Sequence, residues 1–129
     1  PGVRGNFHGL SHHGNDPKTK DMYGAIIDWH MEQMAYFLGR LKSLDEGGRS
    51  LLDNSMIMFG GSLKDGNTHA VEDLPILLAG RAKGAIRPGR RLRSPEQTPI
   101  CNLYLEMLRI LGIEEKSFGD STGRLQGLA

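Results

Sequence analysis

Only two segments of this chain have the pattern of a buried β-strand, and this limits the folds that it can adopt. Residues 55–59 form a short apolar run that Gly60-Gly61 stops, and residues 74–79 form a second run. A two-stranded sheet is marginal by itself. We therefore expect either a weaker strand within residues 85–93 or a sheet that continues in a part of the protein preceding this chain. The start at Pro1 rather than at Met favours the second expectation.

Two longer segments have helical periodicity. The first starts at Asp16-Pro17, where an aspartate cap precedes a proline, and its apolar residues recur with i, i+3, i+4 spacing. Gly47-Gly48 is expected to end this helix. The second starts at Thr98-Pro99 with the same signal and is expected to end at Gly112. The sequence thus predicts one long amphipathic helix before the strands and a shorter one after them.

The order of these elements is helix, strand, loop, strand, basic loop and helix. It is typical of the α/β class, and we expect helices packed on a small, mostly parallel sheet. A length of 129 residues allows a single domain or a fragment of one. We divide the chain into a His/Gly-rich loop, a helix-strand-loop-strand unit, a basic loop, and a C-terminal helix with its tail: residues 1–15, 16–80, 81–97 and 98–129.

Charge and cysteine content exclude several classes of function. The 16 Lys+Arg against 15 Asp+Glu give a formal net charge of +1, so no global field attracts nucleic acid or an anionic membrane. Cys101 is the one cysteine, which excludes an internal disulfide and a cysteine-based zinc cluster. The apolar runs are far too short to cross a bilayer. We expect no nucleic-acid partner and no membrane span.

Three of the five histidines lie close together near the start of the chain, at His8, His12 and His13. Imidazole is the commonest nitrogen ligand for zinc, and a loop can bring such residues together. In a helix His8 and His12 would share a face, but Gly9 and Gly14 argue against a helix here. The alternative is that these histidines cap loops or lie in a solvated tail. The sequence favours the two interpretations about equally.

The loop after the first predicted strand carries Asp65, Asn67 and His69. Open α/β sheets bind ligands beyond the carboxyl ends of their strands. An aspartate and a histidine together suit zinc or manganese, or act as an acid/base pair. The alternative is a solvated turn, because Asp-Gly-Asn is a common turn sequence. Taken alone, this loop is better explained as a turn than as a site.

Residues 81–93 contain six basic residues and no acidic one. Arginine predominates, and its planar fork binds phosphate, sulfate or carboxylate through two hydrogen bonds. Arg87, Arg90 and Arg91 are our candidates for binding a small anionic substrate. A solvated edge beside the sheet is the alternative. No aromatic residue interleaves these arginines, so stacking on nucleic-acid bases is not supported.

Residues 8–13 spell HGLSHH, which fits the hexapeptide HxxSHH. The chain therefore resembles the HXXSHH family, a group of bacterial proteins named for that motif. Later blocks, at residues 52–56, 60–62, 65–69, 73–80 and 117–125, are also similar to the family and follow in its order. The resemblance thus extends along most of the chain.

The resemblance implies that this chain is the C-terminal part of a longer protein. Members commonly carry an export signal, which implies a periplasmic or cell-surface location. Their C-terminal part resembles the alkaline phosphatase and sulfatase superfamily, in which the loop after a strand carries an aspartate-histidine pair of metal ligands. By this resemblance Asp65 and His69 are candidate ligands, and His8, His12 and His13 supply an earlier group.

The chain also departs from the superfamily pattern. The superfamily has its aspartate and histidine adjacent, whereas Asp65 and His69 are separated by three residues. The superfamily nucleophile and its first metal aspartate lie in an N-terminal half that this chain lacks, so we expect no catalysis by the chain alone.

Two hypotheses of function follow from these patterns. The first is the C-terminal part of an exported, zinc- or manganese-dependent hydrolase of phosphate or sulfate esters. The second is a non-catalytic module that retains the superfamily fold for binding.

Overall fold

The computed structural model describes residues 3–128, so Pro1, Gly2 and Ala129 lie outside the described residues. Helices and strands both occur, which confirms the mixed α/β class. In chain order the elements are α1 (Phe7–Ser11), α2 (Pro17–Ser43), α3 (Leu51–Asn54), β1 (Met56–Gly60), β2 (Ile76–Gly80), a 3₁₀ turn (Ala82–Gly84) and α4 (Cys101–Ile110).

The long helix α2 begins where the sequence predicts. Oδ2 of Asp16 accepts hydrogen bonds from the backbone N–H and the hydroxyl of Thr19, both at 2.8 Å, and Pro17 occupies the first helical position. The carboxylate thereby satisfies one of the backbone donors that a helix start leaves unpaired. These local interactions hold the pKa of Asp16 below its ordinary value, with the Thr19 hydroxyl as the largest cause.

The end of α2 differs from the prediction. The helix ends at Ser43, before Gly47-Gly48, and these glycines have φ angles of 67° and 81°. The backbone N–H of Gly48 donates to the Asp45 carboxylate at 3.2 Å, and Asp45 bridges to Ser50 in an antiparallel sense. An aspartate that binds the backbone two or three residues ahead favours a turn over a further helical turn. The glycines therefore form a tight turn beyond the helix.

The two strands lie close to their predicted positions, but they pair antiparallel. Met56 is opposite Gly80 and Gly60 is opposite Ile76. The prediction of a mostly parallel sheet is therefore not confirmed, and within residues 3–128 the sheet has two strands, with none in residues 85–93. A parallel neighbour needs a crossover, which is usually a helix. Residues 61–75 form a polar loop instead, and the chain turns back directly beside β1.

Helix α4 starts slightly later than predicted and ends where the sequence indicates. The Thr98 hydroxyl donates to the carbonyl of Pro95 at 2.7 Å and does not cap α4. At the other end Gly112 has φ 83°, and the Ile113 N–H donates to the Leu108 carbonyl at 3.0 Å. This is the glycine-terminated helix end that the sequence predicts.

The C-terminal tail packs across α4 rather than extending into solvent. Asn102, which is buried, accepts the Thr122 N–H on its side chain at 2.8 Å and the Leu125 N–H on its carbonyl at 2.9 Å. The ring of Phe118 meets Tyr104 edge-on, with centroids 6.0 Å apart. Among residues 3–128 the buried apolar residues are Leu10, Met34, Ile86, Leu103, Leu105 and Leu128.

Much apolar surface stays in contact with solvent. Along α2 only Met34 is buried, whereas Trp29 and Tyr36 are 55% and 69% exposed. None of the helices within residues 3–128 has the length and apolar character needed to cross a bilayer.

Candidate functional site

The first part of the site is helix α1, which places His8 and His12 side by side. Oδ1 of Asn6 accepts the N–H of Gly9 at 2.7 Å and so caps the helix. Leu10 is 5% exposed. Its burial is worth about 2 kcal/mol, more than the roughly 1 kcal/mol that a glycine costs inside a helix. The argument against a helix in this segment is therefore wrong, and the His8 and His12 ring centroids lie 4.8 Å apart.

The second part is the loop between β1 and β2. The Ala70 N–H donates to the Asp65 carbonyl at 3.2 Å, and Oδ1 of Asp65 accepts the Asn67 N–H at 2.8 Å. His69 has φ 56°, a left-handed conformation that histidine adopts more readily than most residues. The Asn67 side chain accepts the N–H of Gly14 at 2.8 Å. This hydrogen bond ties the loop to the segment that follows α1.

These two parts meet, and the structure brings the five candidate metal ligands into contact in pairs. The rings of His12 and His69 have centroids 4.8 Å apart and planes at 83°. His12 therefore lies between His8 and His69, and each pair meets edge to face. Beside this row, Nε2 of His13 is 3.9 Å from Oδ1 of Asp65.

His13 is oriented differently from the other three imidazoles. Its Nδ1 accepts the N–H of Asn15 at 3.1 Å, so in a neutral ring the proton is on Nε2, which faces Asp65. Neither nitrogen then turns a lone pair toward a cation. The geometry favours His13 as a partner of Asp65 rather than as a metal ligand.

Asp65 supplies a negative charge next to the imidazoles. The N–H of Asn67 is the largest cause that holds the pKa of Asp65 below its ordinary value of 3.8, and the Thr68 hydroxyl and His13 act in the same direction. The carboxylate is therefore ionised at neutral pH. The same hydrogen bond shows that Asp65 also organises its own turn, as the alternative interpretation of this loop predicts.

Two of the three ring pairs among His8, His12 and His69 have a spacing that suits a shared cation. Two imidazoles bound to one tetrahedral zinc at about 2.1 Å place their ring centroids about 5 Å apart. As the side chains stand, no three His, Cys, Asp or Glu residues among residues 3–128 converge as a finished metal site. All three histidines are exposed. Exposed side chains change rotamer within picoseconds to nanoseconds, and the convergence of these three rings on one cation stays a prediction.

The candidate anion-binding arginines lie in the exposed loop after the 3₁₀ turn. Nε of Arg90 donates to the Arg87 carbonyl at 2.8 Å, and its Nη2 donates to the Leu128 carbonyl at 2.6 Å. The Arg87 N–H donates to the same Leu128 carbonyl at 3.1 Å. Arg90 therefore holds the C-terminal segment in place. Arg87 and Arg91 are exposed, and the binding of an anion by these three arginines stays a prediction.

Two residues of the site were not singled out from the sequence. Asn6 is one, and the signal for it was present, because Asn is a preferred helix cap. Ser11 is the other. It is 9% exposed, and its hydroxyl donates to the His8 carbonyl at 2.7 Å. This hydroxyl is thus engaged with the backbone of α1 and is not offered to a substrate.

A depression with a volume of about 480 Å³ lies elsewhere on the protein. It is lined by Glu106, Arg109, Arg124 and residues 125–128. Arg109 makes a two-pronged contact with the buried Glu106, with Nη2 and Oε1 2.6 Å apart, so these two charges neutralise one another. The histidine row is an open surface site by comparison.

Comparison of the chain with protein-family models, with curated proteins and with solved structures finds no significant match.

Proposed function

We propose that His8, His12 and His69 bind a divalent cation, zinc or manganese, and that this chain contributes that site to a hydrolase of phosphate or sulfate esters. One observation carries the proposal. Histidines from the N-terminal segment and from the loop between β1 and β2 lie in a single row, with neighbouring centroids 4.8 Å apart.

The chemistry of the surrounding groups supports a cation in this place. Three imidazoles offer borderline nitrogen donors, and the ionised Asp65 adds a negative charge through its contact with His13.

A metal site is compatible with the hydrolysis of phosphate or sulfate esters that we propose. A divalent cation held by imidazoles acts as a Lewis acid on a phosphoryl or sulfuryl oxygen. The residues of this chain hold and orient the imidazoles, and the Ser11 hydroxyl is committed to the His8 carbonyl. We therefore expect metal binding, not turnover, from this chain alone.

Metal titration of the purified chain tests the proposal. After removal of metal with a chelator, zinc and manganese are titrated by calorimetry into the wild type, His12→Ala and His69→Ala. His30→Ala is the matched control, because it removes the one histidine outside the cluster. We expect losses of at least about tenfold in affinity for the first two variants, the scale seen even for outer-layer partners of a metal. A wild-type chain that takes up neither metal, or an equal loss in His30→Ala, contradicts the proposal.

One observation favours the second function, a non-catalytic binding module. Helix α2 leaves Trp29 and Tyr36 largely exposed, and large exposed aromatic side chains are typical of surfaces that bind partners. Turnover of phosphate and sulfate esters by the full-length protein separates the two functions, because a binding module does not require it. Clear turnover that His69→Ala abolishes would rule out the binding module.

A further inference from the structure

The loop between β1 and β2 approaches helix α1 most closely at Gly66 and Ser11. A β-carbon placed on Gly66 would lie 2.7 Å from Cβ and 2.9 Å from Oγ of Ser11. Carbon atoms in favourable contact are about 3.5–4.0 Å apart. No side chain therefore fits at position 66 unless the loop and the helix separate.

Position 66 requires glycine because Ser11 lies so near, and not because of the backbone conformation. The φ angle of Gly66 lies outside the left-handed region, so alanine can adopt the same backbone. Ser11 cannot easily move aside, because it is buried and its hydroxyl is held by the His8 carbonyl at 2.7 Å. An added methyl group must therefore push the loop away.

The contact is close in sequence to both sides of the histidine row. Ser11 precedes His12 directly, and Gly66 lies three residues before His69. The hydrogen bond from the Gly14 N–H to the Asn67 side chain joins the same two segments at a second point. A displacement of the loop at Gly66 therefore changes the spacing between His12 and His69.

We propose that Gly66 and Ser11 are positioning residues, which set the distance between the His12 and His69 rings and thereby the metal affinity of the row. The effect on affinity rests on the proposed function, whereas the effect on ring spacing does not.

Four variants test this assignment: Gly66→Ala, Ser11→Gly, the double variant of both, and Gly24→Ala. Gly24 is the matched control, because a β-carbon there meets nothing within 4 Å. The ring spacing is measured without metal, by NMR cross-relaxation between the His12 and His69 ring protons. Zinc affinity is measured by calorimetry, and thermal unfolding reports any general loss of stability.

We expect Gly66→Ala to lose the cross-relaxation and at least about tenfold in zinc affinity, the scale of outer-layer substitutions. Removing the Ser11 side chain relieves the two closest contacts and leaves the Ser11 carbonyl oxygen 3.3 Å from the new methyl group. The double variant is therefore expected to recover most of the cross-relaxation and of the zinc affinity. Gly24→Ala keeps the cross-relaxation, because the added methyl group there meets nothing within 4 Å. A purely structural role would lower the melting temperature of Gly66→Ala and leave the cross-relaxation unchanged.

Cross-relaxation that persists in Gly66→Ala, or that the double variant fails to restore, overturns the assignment even if zinc binds. A wild type that binds no zinc contradicts the proposed function, and the ring spacing still decides the role of Gly66. Should Gly66→Ala fail to fold, Ser11→Thr is used instead, because its added methyl group crowds the same contact from the Ser11 side. It is then expected to weaken the cross-relaxation, and an unchanged signal overturns the assignment.

Discussion

The ring of His12 lies edge-on against the ring of His69, with centroids 4.8 Å apart, although one follows α1 and the other belongs to the loop between β1 and β2. Two features hold this relationship: the hydrogen bond from Gly14 to Asn67 and the contact of Gly66 with Ser11. The candidate site is therefore a property of the tertiary structure and not of the hexapeptide alone.

The orientation of His13 predicts that it is not a ligand. Its Nδ1 accepts the Asn15 N–H and its Nε2 faces Asp65, so its removal leaves the donors of the row in place. His13→Ala is expected to change zinc affinity less than His12→Ala, which removes a donor directly. Calorimetric titration of both variants checks this ranking. An affinity loss in His13→Ala as large as that in His12→Ala would show that His13 binds the metal.

The lowered pKa of Asp53 predicts how the free energy of unfolding depends on pH. The Ser50 hydroxyl, 2.7 Å from Oδ2, is the main cause that lowers the pKa of Asp53 below 3.8, and Arg81 contributes at 3.3 Å. A lowered pKa in the folded state stabilises the fold above the ordinary pKa, and this contribution disappears as pH falls through the folded value. Wild type is therefore expected to lose more stability than Asp53→Asn as pH falls below about 4.

Urea unfolding at a series of pH values measures this difference. Asp28→Asn on the exposed side of α2 is the matched control and is expected to follow the wild-type profile. If the free energies of unfolding of wild type and Asp53→Asn fall in parallel below pH 4, the contact between Asp53 and Ser50 does not have the role assigned to it.

Arg90 is expected to act on the C-terminal segment. Its Nη2 donates to the Leu128 carbonyl, which also accepts the Arg87 N–H. In Arg90→Ala we expect faster hydrogen exchange of the Arg87 amide, because its acceptor is less firmly held. Arg91→Ala serves as the control. Unchanged exchange at Arg87 in Arg90→Ala would mean that the segment is held by other contacts.

The burial of Leu105 predicts how much the packing of α4 contributes to the free energy of unfolding. Its side chain is 3% exposed, whereas that of Leu111 is 64% exposed. Truncation of a buried leucine costs about 2–5 kcal/mol, and truncation of an exposed one costs far less. Denaturant unfolding of Leu105→Ala and Leu111→Ala checks this difference. Equal losses would indicate that α4 buries a different face from the one observed.

Local signals in the sequence predict several parts of the fold. Asp16-Pro17 marks the start of α2 and Gly112 the end of α4, because helix ends are set by hydrogen bonds within a few residues. The strands are also predicted within one or two residues, since turn-forming residues bound each apolar run. The end of α2 is misplaced because Asp45 competes for the Gly48 N–H.

Features that depend on distant contacts are not predicted. The antiparallel pairing of β1 with β2 follows from the path of a loop without a crossover helix. Helix α1 forms because Leu10 is buried against other parts of the chain, which outweighs the cost of Gly9. The five candidate ligands are predicted from their residue types, and their binding of a metal stays a prediction. The orientation of His13 could not be predicted, because it depends on the Asn15 N–H.

X-ray absorption at the zinc edge tests most directly whether α1 and the loop between β1 and β2 share one metal site. For the zinc-loaded wild type we expect scattering from three imidazoles with nitrogens at about 2.0–2.1 Å, and from two imidazoles in His69→Ala. The His30→Ala spectrum should match the wild type. A zinc shell of oxygen donors alone, or a spectrum that His69→Ala leaves unchanged, contradicts a shared site.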